Sequence, residues 1–266
     1  AVPTSRSSPT ASRQRTPSPS PAIGPGLIVF EHFTPGLLTR LEYLPPDRRG
    51  MELLPAVPGN QHLAAWSPDG QRLAYSGFDP DIDGSREAIF ETDASGATPR
   101  SITAGCTPPA CLEETSPSYS TDGRQLVFIR TAGAPGGPPT STVVAIRDLD
   151  THKVSVLEPT RTAYPGAVLE HPSLSPDGRS IVYTKLLLDP DDQATDSLVF
   201  VVARDGGRPL ALTAAGFKAG DPTWSPDGSR ILFGSEVIHH LFGGGAGASY
   251  NTFVYTLAAD GSAQAP

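Results

Sequence analysis

Apolar residues along this chain come in short runs that alternate with polar positions, and four of these runs begin from the same phrase. The copies are Trp66-Ser-Pro-Asp-Gly70 before QRLAYSG, Tyr119-Ser-Thr-Asp-Gly123 before RQLVFIR, Leu174-Ser-Pro-Asp-Gly178 before RSIVYTK, and Trp224-Ser-Pro-Asp-Gly228 before SRILFGS. After each glycine, pairs of apolar residues stand one position apart: Leu73 and Tyr75, Val127 and Ile129, Ile181 and Tyr183, Ile231 and Phe233. That spacing is the period of a strand. The phrase is turn chemistry, because Pro sets φ at the first corner, Asp bonds back to the backbone and Gly takes the positive φ that follows. It predicts a tight connection between two antiparallel strands.

A second strand pair follows each phrase. Segments 88–103, 143–158 and 198–213 each run from an apolar strand through a turn into a return strand, the turns being Ala94-Ser95-Gly96, Asp150-Thr151-His152 and Asp205-Gly206-Gly207. The four phrase glycines recur 53, 55 and 50 residues apart, a blade-sized period. Four strands joined as a meander form one blade of a β-propeller. The fourth copy has its third strand at Thr252 to Leu257 and a turn at Ala259-Asp260-Gly261, with no clear fourth strand. Upstream, residues 26–32 (GLIVFEH), Arg40 to Leu44 and Met51 to Leu54 read as the second, third and fourth strands of a blade that has no phrase. The expected architecture is therefore all-β, with repeats near 27–58, 61–105, 115–159, 171–216 and 220–266. These represent about five blades, taken as part of a six-bladed or larger ring.

Composition agrees. The 266 residues include 27 Gly and 29 Pro, with 38% hydrophobic and 18% charged residues, which suits many turns and excludes long helices and coiled coils. Residues 1–26 are mostly Ser, Thr, Pro, Ala and Arg and predict a disordered linker. Such a segment fits a chain that follows a removed signal peptide or a lipid-anchored cysteine. It contains three Arg and no acid, so the remainder carries -11 against -8 for the whole chain. A body of that sign repels nucleic acid and anionic membrane. No apolar run approaches the roughly 20 residues that span a bilayer, so the membrane enters only through an anchor before residue 1.

WSPDGQRLAYSG, LSPDGRSIVYTK and WSPDGSRILFGS, with RDGGRPLALT as the clearest second half, resemble the WD-like repeat of the TolB propeller family. The resemblance covers roughly residues 60 to 260. Thr121, Leu174 and the missing first phrase depart from the pattern. The resemblance implies an exported propeller, periplasmic, attached to the cell envelope or extracellular. It implies a non-enzymatic scaffold that binds a protein or peptide at its face or channel. Because similar repeats form the amino-terminal propellers of prolyl-oligopeptidase-like enzymes, the alternative is a propeller that gates a serine peptidase domain absent from these residues.

The residues themselves offer few catalytic candidates. There is no G-x-S-x-G nucleophile elbow, no H-E-x-x-H and no phosphate loop. His239 and His240 read as solvated loop residues, and Gly243-Gly244-Gly245 as a flexible hairpin loop without a following helix. Asp79, Asp81, Asp83, Gly84 and Glu87 resemble the first part of a calcium loop, although Pro80 is unusual there and the twelfth position is Phe90 rather than Glu. Calcium is thus the one cofactor the sequence suggests, against a reading as polar hairpin loops like Asp189-Pro-Asp191-Asp192. Cys106 and Cys111 bracket CTPPAC, a spacing that permits a disulfide in an exported protein, the alternative being two loop thiols without a role.

The innermost strand of a blade lines the central channel. Three residues before each phrase stand Leu63, Ser116, His171 and Asp221, of which Ser116, His171 and Asp221 are the polar candidates for contacting a partner. The alternative role for these side chains is hydrogen bonding to the neighbouring blade's backbone. Trp66, Tyr119 and Trp224 recur at blade period and are expected to pack between sheets.

Overall fold

All four phrases close hairpins as their chemistry requires. In each, the Ser hydroxyl donates to the Asp carboxylate at 2.5–2.6 Å, and the same carboxylate accepts the N–H two residues further on at 3.0 Å. The Gly N–H returns to the Ser carbonyl at 2.8–2.9 Å, with φ between 66° and 71° at Gly70, Gly123, Gly178 and Gly228. These bonds, the one from Ser first, hold Asp69, Asp122 and Asp177 below the usual carboxylate range, and Asp227 at about 2. Where the second phrase has Thr121 in place of Pro, its hydroxyl donates to the Pro176 carbonyl of the next phrase at 3.0 Å.

The computed structural model describes residues 28–34, 38–44, 52–53, 60–78, 86–94, 96, 99–103, 106–163, 166–191, 193–239 and 249–260. Five antiparallel sheets follow one another along the chain. The first holds β1 (Ile28–Thr34), β2 (Leu38–Leu44) and β3 (Glu52–Leu53). Next come β4 (Gln61–Trp66), β5 (Arg72–Phe78), β6 (Glu87–Asp93) and β7 (Arg100–Ser101). The third sheet has β8 (Glu113–Tyr119), β9 (Gln125–Gly133), β10 (Pro139–Asp148) and β11 (Val154–Val156), with β12 (Thr162–Ala163) also on β10. The fourth has β13 (Ala167–Leu174), β14 (Ser180–Leu188), β15 (Ala194–Ala203) and β16 (Leu210–Ala211). The fifth has β17 (Ala219–Trp224), β18 (Arg230–His239) and β19 (Ser249–Ala258). This is a β-propeller: four sheets each begin with an innermost strand and a phrase, and β1–β3 precede them. The register makes β1 equivalent to β5, β9, β14 and β18, a second strand.

Strand alternation determines how the sheets pack. Leu73 and Tyr75 of β5 point back to Leu41 and Tyr43 of the first sheet. Ala74 and Ile89 point forward to Tyr119, Leu126 and Phe128 of the third. The same division recurs where Val127 and Val144 meet Ile181 and Tyr183, and where Val182 and Val199 meet Ile231, Phe233 and Leu257. Burying one such side chain is worth about 1.5–3 kcal/mol, so each inner sheet depends on both neighbours. On the backward faces, Tyr75–Phe90, Tyr183–Phe200 and Phe233–Tyr255 stack across strands at 5.7–5.8 Å, while Phe128 faces Ala145. Of the recurring aromatics, Tyr119 is buried, and Trp66 and Trp224 pack at the edges of the inter-sheet clusters.

The outermost strands β7, β11 and β16 are very short, and a threonine completes each of these three. Thr103, Thr160 and Thr213 accept the N–H groups of Ile89, Val144 and Val199 at 2.7–3.0 Å, supplying from a side chain what a longer ladder would supply from backbone. Among the described residues, no strand of the first sheet packs closely on a strand of the last. Accordingly Leu232 and Val254 are 40% and 71% exposed at positions where Val182 and Val199 are fully buried.

One ion cluster lies inside the third sheet. Glu114 is fully buried, accepts from Arg130 Nε at 3.0 Å and from Arg130 Nη2, and lies 3.6 Å from Arg147. Beside it the structure joins Cys106 to Cys111, with Cα atoms 4.9 Å apart and Cys111 Sγ 3.8 Å from Glu114 Oε1. Removing one member of a buried pair leaves the other charge uncompensated. Glu114→Ala is expected to lower unfolding free energy by about 3–5 kcal/mol in denaturant titrations. Glu158→Ala, which removes only the exposed pair with Arg161, should cost less than about 1 kcal/mol by the same measurement.

Candidate functional site: the central channel

Leu63, Ser116, His171 and Asp221 share a conformation that their sequence positions do not announce. Each has a left-handed backbone, with φ of 53°, 55°, 48° and 54°. Each also falls where the ladder to the second strand slips: between His62 and Ala65, Thr115 and Ser118, Glu170 and Ser173, Gly220 and Thr223. Four β-bulges therefore stand at one level of four innermost strands, and a bulge turns its side chain out of the ladder. Left-handed geometry costs a non-glycine residue roughly 1–2 kcal/mol, so something must hold it.

The preceding sheet holds it. Leu63 N–H donates to Glu31 Oε1 at 2.6 Å, Ser116 N–H to Ser76 Oγ at 3.0 Å, and Asp221 N–H to Thr184 Oγ1 at 3.2 Å. The acceptors occupy equivalent positions on β1, β5 and β14. In the remaining case the position belongs to Ile129, which has no acceptor to offer His171. So the expected traffic is reversed: backbone of the innermost strand meets side chains of the preceding sheet, which frees the bulge side chains for the channel.

All four bulge residues line one central cavity of about 660 Å³, together with Val29, Phe30 and Glu31 from β1 and the three prolines that follow the bulges, Pro117, Pro172 and Pro222. His171 Nδ1 lies 2.7 Å from Asp221 Oδ1, a charge contact off the direction of a linear hydrogen bond. This pair also walls a second cavity of about 470 Å³ between the fourth and fifth sheets. Burial by itself would lower the His171 pKa, but Asp221, Glu170 and Glu31 together raise it above the usual histidine value. Asp221 is correspondingly lowered by His171. His62 is raised in the same manner against its burial, by Glu87 at 2.9 Å and by Glu31. Glu31 was not legible as a site residue, because the first sheet lacks the phrase that aligns the others.

Other candidates fall elsewhere. Asp79, Asp81 and Asp83 lie outside the described residues, as do Asp192, His240 and Gly243-Gly244-Gly245, and the Glu87 carboxylate is engaged by His62. Asp189 accepts the N–H groups of Asp191 and Gln193, which makes that connection a self-bonded polar loop. The one cluster of metal-ligating atom types among the described residues is Cys106, Cys111 and Glu114, whose thiols are consumed by the disulfide.

No family model matches the chain, and no curated protein matches it in sequence. Solved structures do match in fold. TolB from Acinetobacter baumannii superposes with a TM-score of 0.56 at 22% identity over 90% of this chain and 54% of that one. An oligogalacturonate lyase in complex with manganese gives 0.55 at 17% identity, over 88% of this chain and 60% of the lyase. A puromycin-hydrolysing peptidase of Mycobacterium tuberculosis gives 0.51 at 16% identity, over 92% and 40%. The chain spans about half the length of the TolB chain it matches.

Two outcomes follow for the channel. Ser76→Ala leaves the buried Ser116 N–H without its acceptor and should cost about 1–3 kcal/mol in equilibrium unfolding. Because the His171 pKa is raised on folding, its ion contact stabilises the fold fully below the unfolded value near 6.5. That contribution is lost as pH rises through the folded value. A nuclear magnetic resonance titration should place the His171 midpoint above 6.5 and move it downward in Asp221→Asn. The melting temperature of the wild type should fall more than that of His171→Gln between pH 6 and pH 8. Taken with the comparisons, these features give the chain a TolB-like β-propeller fold organised around a bulge-lined central channel.

Proposed function

We propose that this protein is a non-enzymatic scaffold of the cell envelope or secreted space that binds a peptide or protein segment in its central channel. The observation that carries this reading is the convergence of bulge residues from four sheets, and of β1 from a fifth, on one cavity of about 660 Å³. That volume lies in the range of ligand-binding clefts. Its rim combines exposed carboxylate, imidazole and hydroxyl groups with apolar residues and prolines, surfaces suited to an extended backbone with side chains on both faces. The resemblance to TolB supports a binding rather than a catalytic role. The disulfide supports export, since such bonds persist in oxidising compartments.

The likeness to the peptidase favours a second reading, a propeller that admits substrate to a hydrolase domain supplied elsewhere in a longer polypeptide. Panning a library of linear peptides on the full chain separates the two. On the binding reading, selected peptides lose affinity at least about tenfold in Ser118→Trp, which fills the channel wall, and keep it in Asp205→Asn on the outer turn. Failure to select any channel-dependent ligand, with peptidase activity in a longer natural form of the protein, would contradict it.

A further inference from the structure

The chemistry of the channel wall narrows what enters it. Among the described residues, its titratable side chains are Glu31, His171 and Asp221, and none of those lining it is Lys or Arg. Glu31 and Asp221 come from the first and last sheets, so their carboxylates approach the cavity from the two sides of the opening between those sheets. Both are held in place before any ligand arrives. Glu31 keeps one oxygen on the Leu63 N–H. Asp221 keeps one on His171, while its side chain remains 74% exposed and borders both cavities.

The opposite charge finds no comparable reception. A left-handed residue usually turns its N–H outward, where it makes a cradle for anions. Here the N–H groups of Leu63, Ser116 and Asp221 are already accepted by Glu31, Ser76 and Thr184, which leaves only the fourth bulge, at His171, without such an acceptor. At three of the four bulges an anion would displace bonds that hold them, and in the cavity it would face the Glu31 and Asp221 carboxylates. A cation meets free carboxylate lone pairs, and its aliphatic stem has Val29, Leu41 and Leu63 to lie against.

Resting on the channel-binding reading above, we infer that the bound segment carries an ammonium or guanidinium group which docks between Glu31 and Asp221. The source of that group is either a peptide amino-terminus or a Lys or Arg side chain. The electrostatic part is strongest when His171 is neutral, since its protonation adds a positive charge among Asp221, Glu170, Glu31 and His62 and takes up the Asp221 carboxylate.

Isothermal titration of the full chain with four synthetic peptides of one sequence tests this. They carry a free amino-terminus, an internal Lys with acetylated terminus, the same Lys acetylated, or Glu in its place. The expected result is that one of the two cationic peptides binds about tenfold or more tighter than the acetyl-lysine peptide, and the Glu peptide weakest. Which cationic peptide wins identifies the source. Glu31→Gln and Asp221→Asn should each weaken the preferred peptide about five- to tenfold and leave the acetyl-lysine peptide unchanged, whereas Glu158→Gln on the outer surface changes neither. Equal affinity of cationic and acetylated peptides, both lost in Ser118→Trp, overturns the cation inference while leaving the channel reading standing. Binding of all four that survives Ser118→Trp overturns both. Circular dichroism melts of each variant confirm that a lost affinity is not a lost fold.

Discussion

The arrangement depends on the packing of each sheet against its neighbours along the chain. The second, third and fourth sheets end in outermost strands of only two or three residues, with a threonine hydroxyl finishing each of these ladders. Stability comes instead from the alternation along the second strand, which sends Leu73 and Tyr75 one way and Ala74 the other. Because every sheet uses the same division, the inter-sheet interface is one design repeated. Where the repetition stops, between the last sheet and the first, Leu232, Val254 and Ile28 are left exposed.

The same packing creates the channel. Once a sheet is pressed against its predecessor, the side chain at one position of the second strand reaches the innermost strand of the next sheet. Glu31, Ser76 and Thr184 each accept an N–H there and hold the following residue left-handed. A local strain of roughly 1–2 kcal/mol per residue is thereby tolerated, and the side chains at these bulges project into common space rather than into the ladder. Structure and site are not separable here: the bonds that lock the sheets together also decide which groups a ligand meets, and they engage three of the four bulge amides while leaving carboxylate oxygens available.

Much of this was legible in the residues. The Ser-Pro-Asp-Gly phrases gave turn positions and period, and the alternation after Gly70, Gly123, Gly178 and Gly228 gave the second strands. Counting back from each phrase reached Leu63, Ser116, His171 and Asp221, which do share a position on the channel. Their left-handed backbone was not legible, because four unrelated residue types occupy the site and the conformation is imposed by the preceding sheet. Glu31 escaped for a related reason, since alignment by phrase cannot reach a sheet without one. Thr213 was visible at the end of RDGGRPLALT, but that its hydroxyl, like that of Thr103, replaces a missing ladder bond emerges only from their pairing with Val199 and Ile89. Glu114 with Arg130 and Arg147 joins residues from three strands and leaves no periodic signal.

The central claim is that side chains of one sheet lock the bulges of the next. Amide hydrogen exchange reads this directly, residue by residue. The account predicts that the Leu63, Ser116 and Asp221 amides exchange as slowly as the core amides of β5, β9 and β14, while His171, whose counterpart Ile129 offers no acceptor, exchanges markedly faster. Rapid exchange at all four positions would contradict it, showing that the bulges are loose and that the channel has no fixed wall.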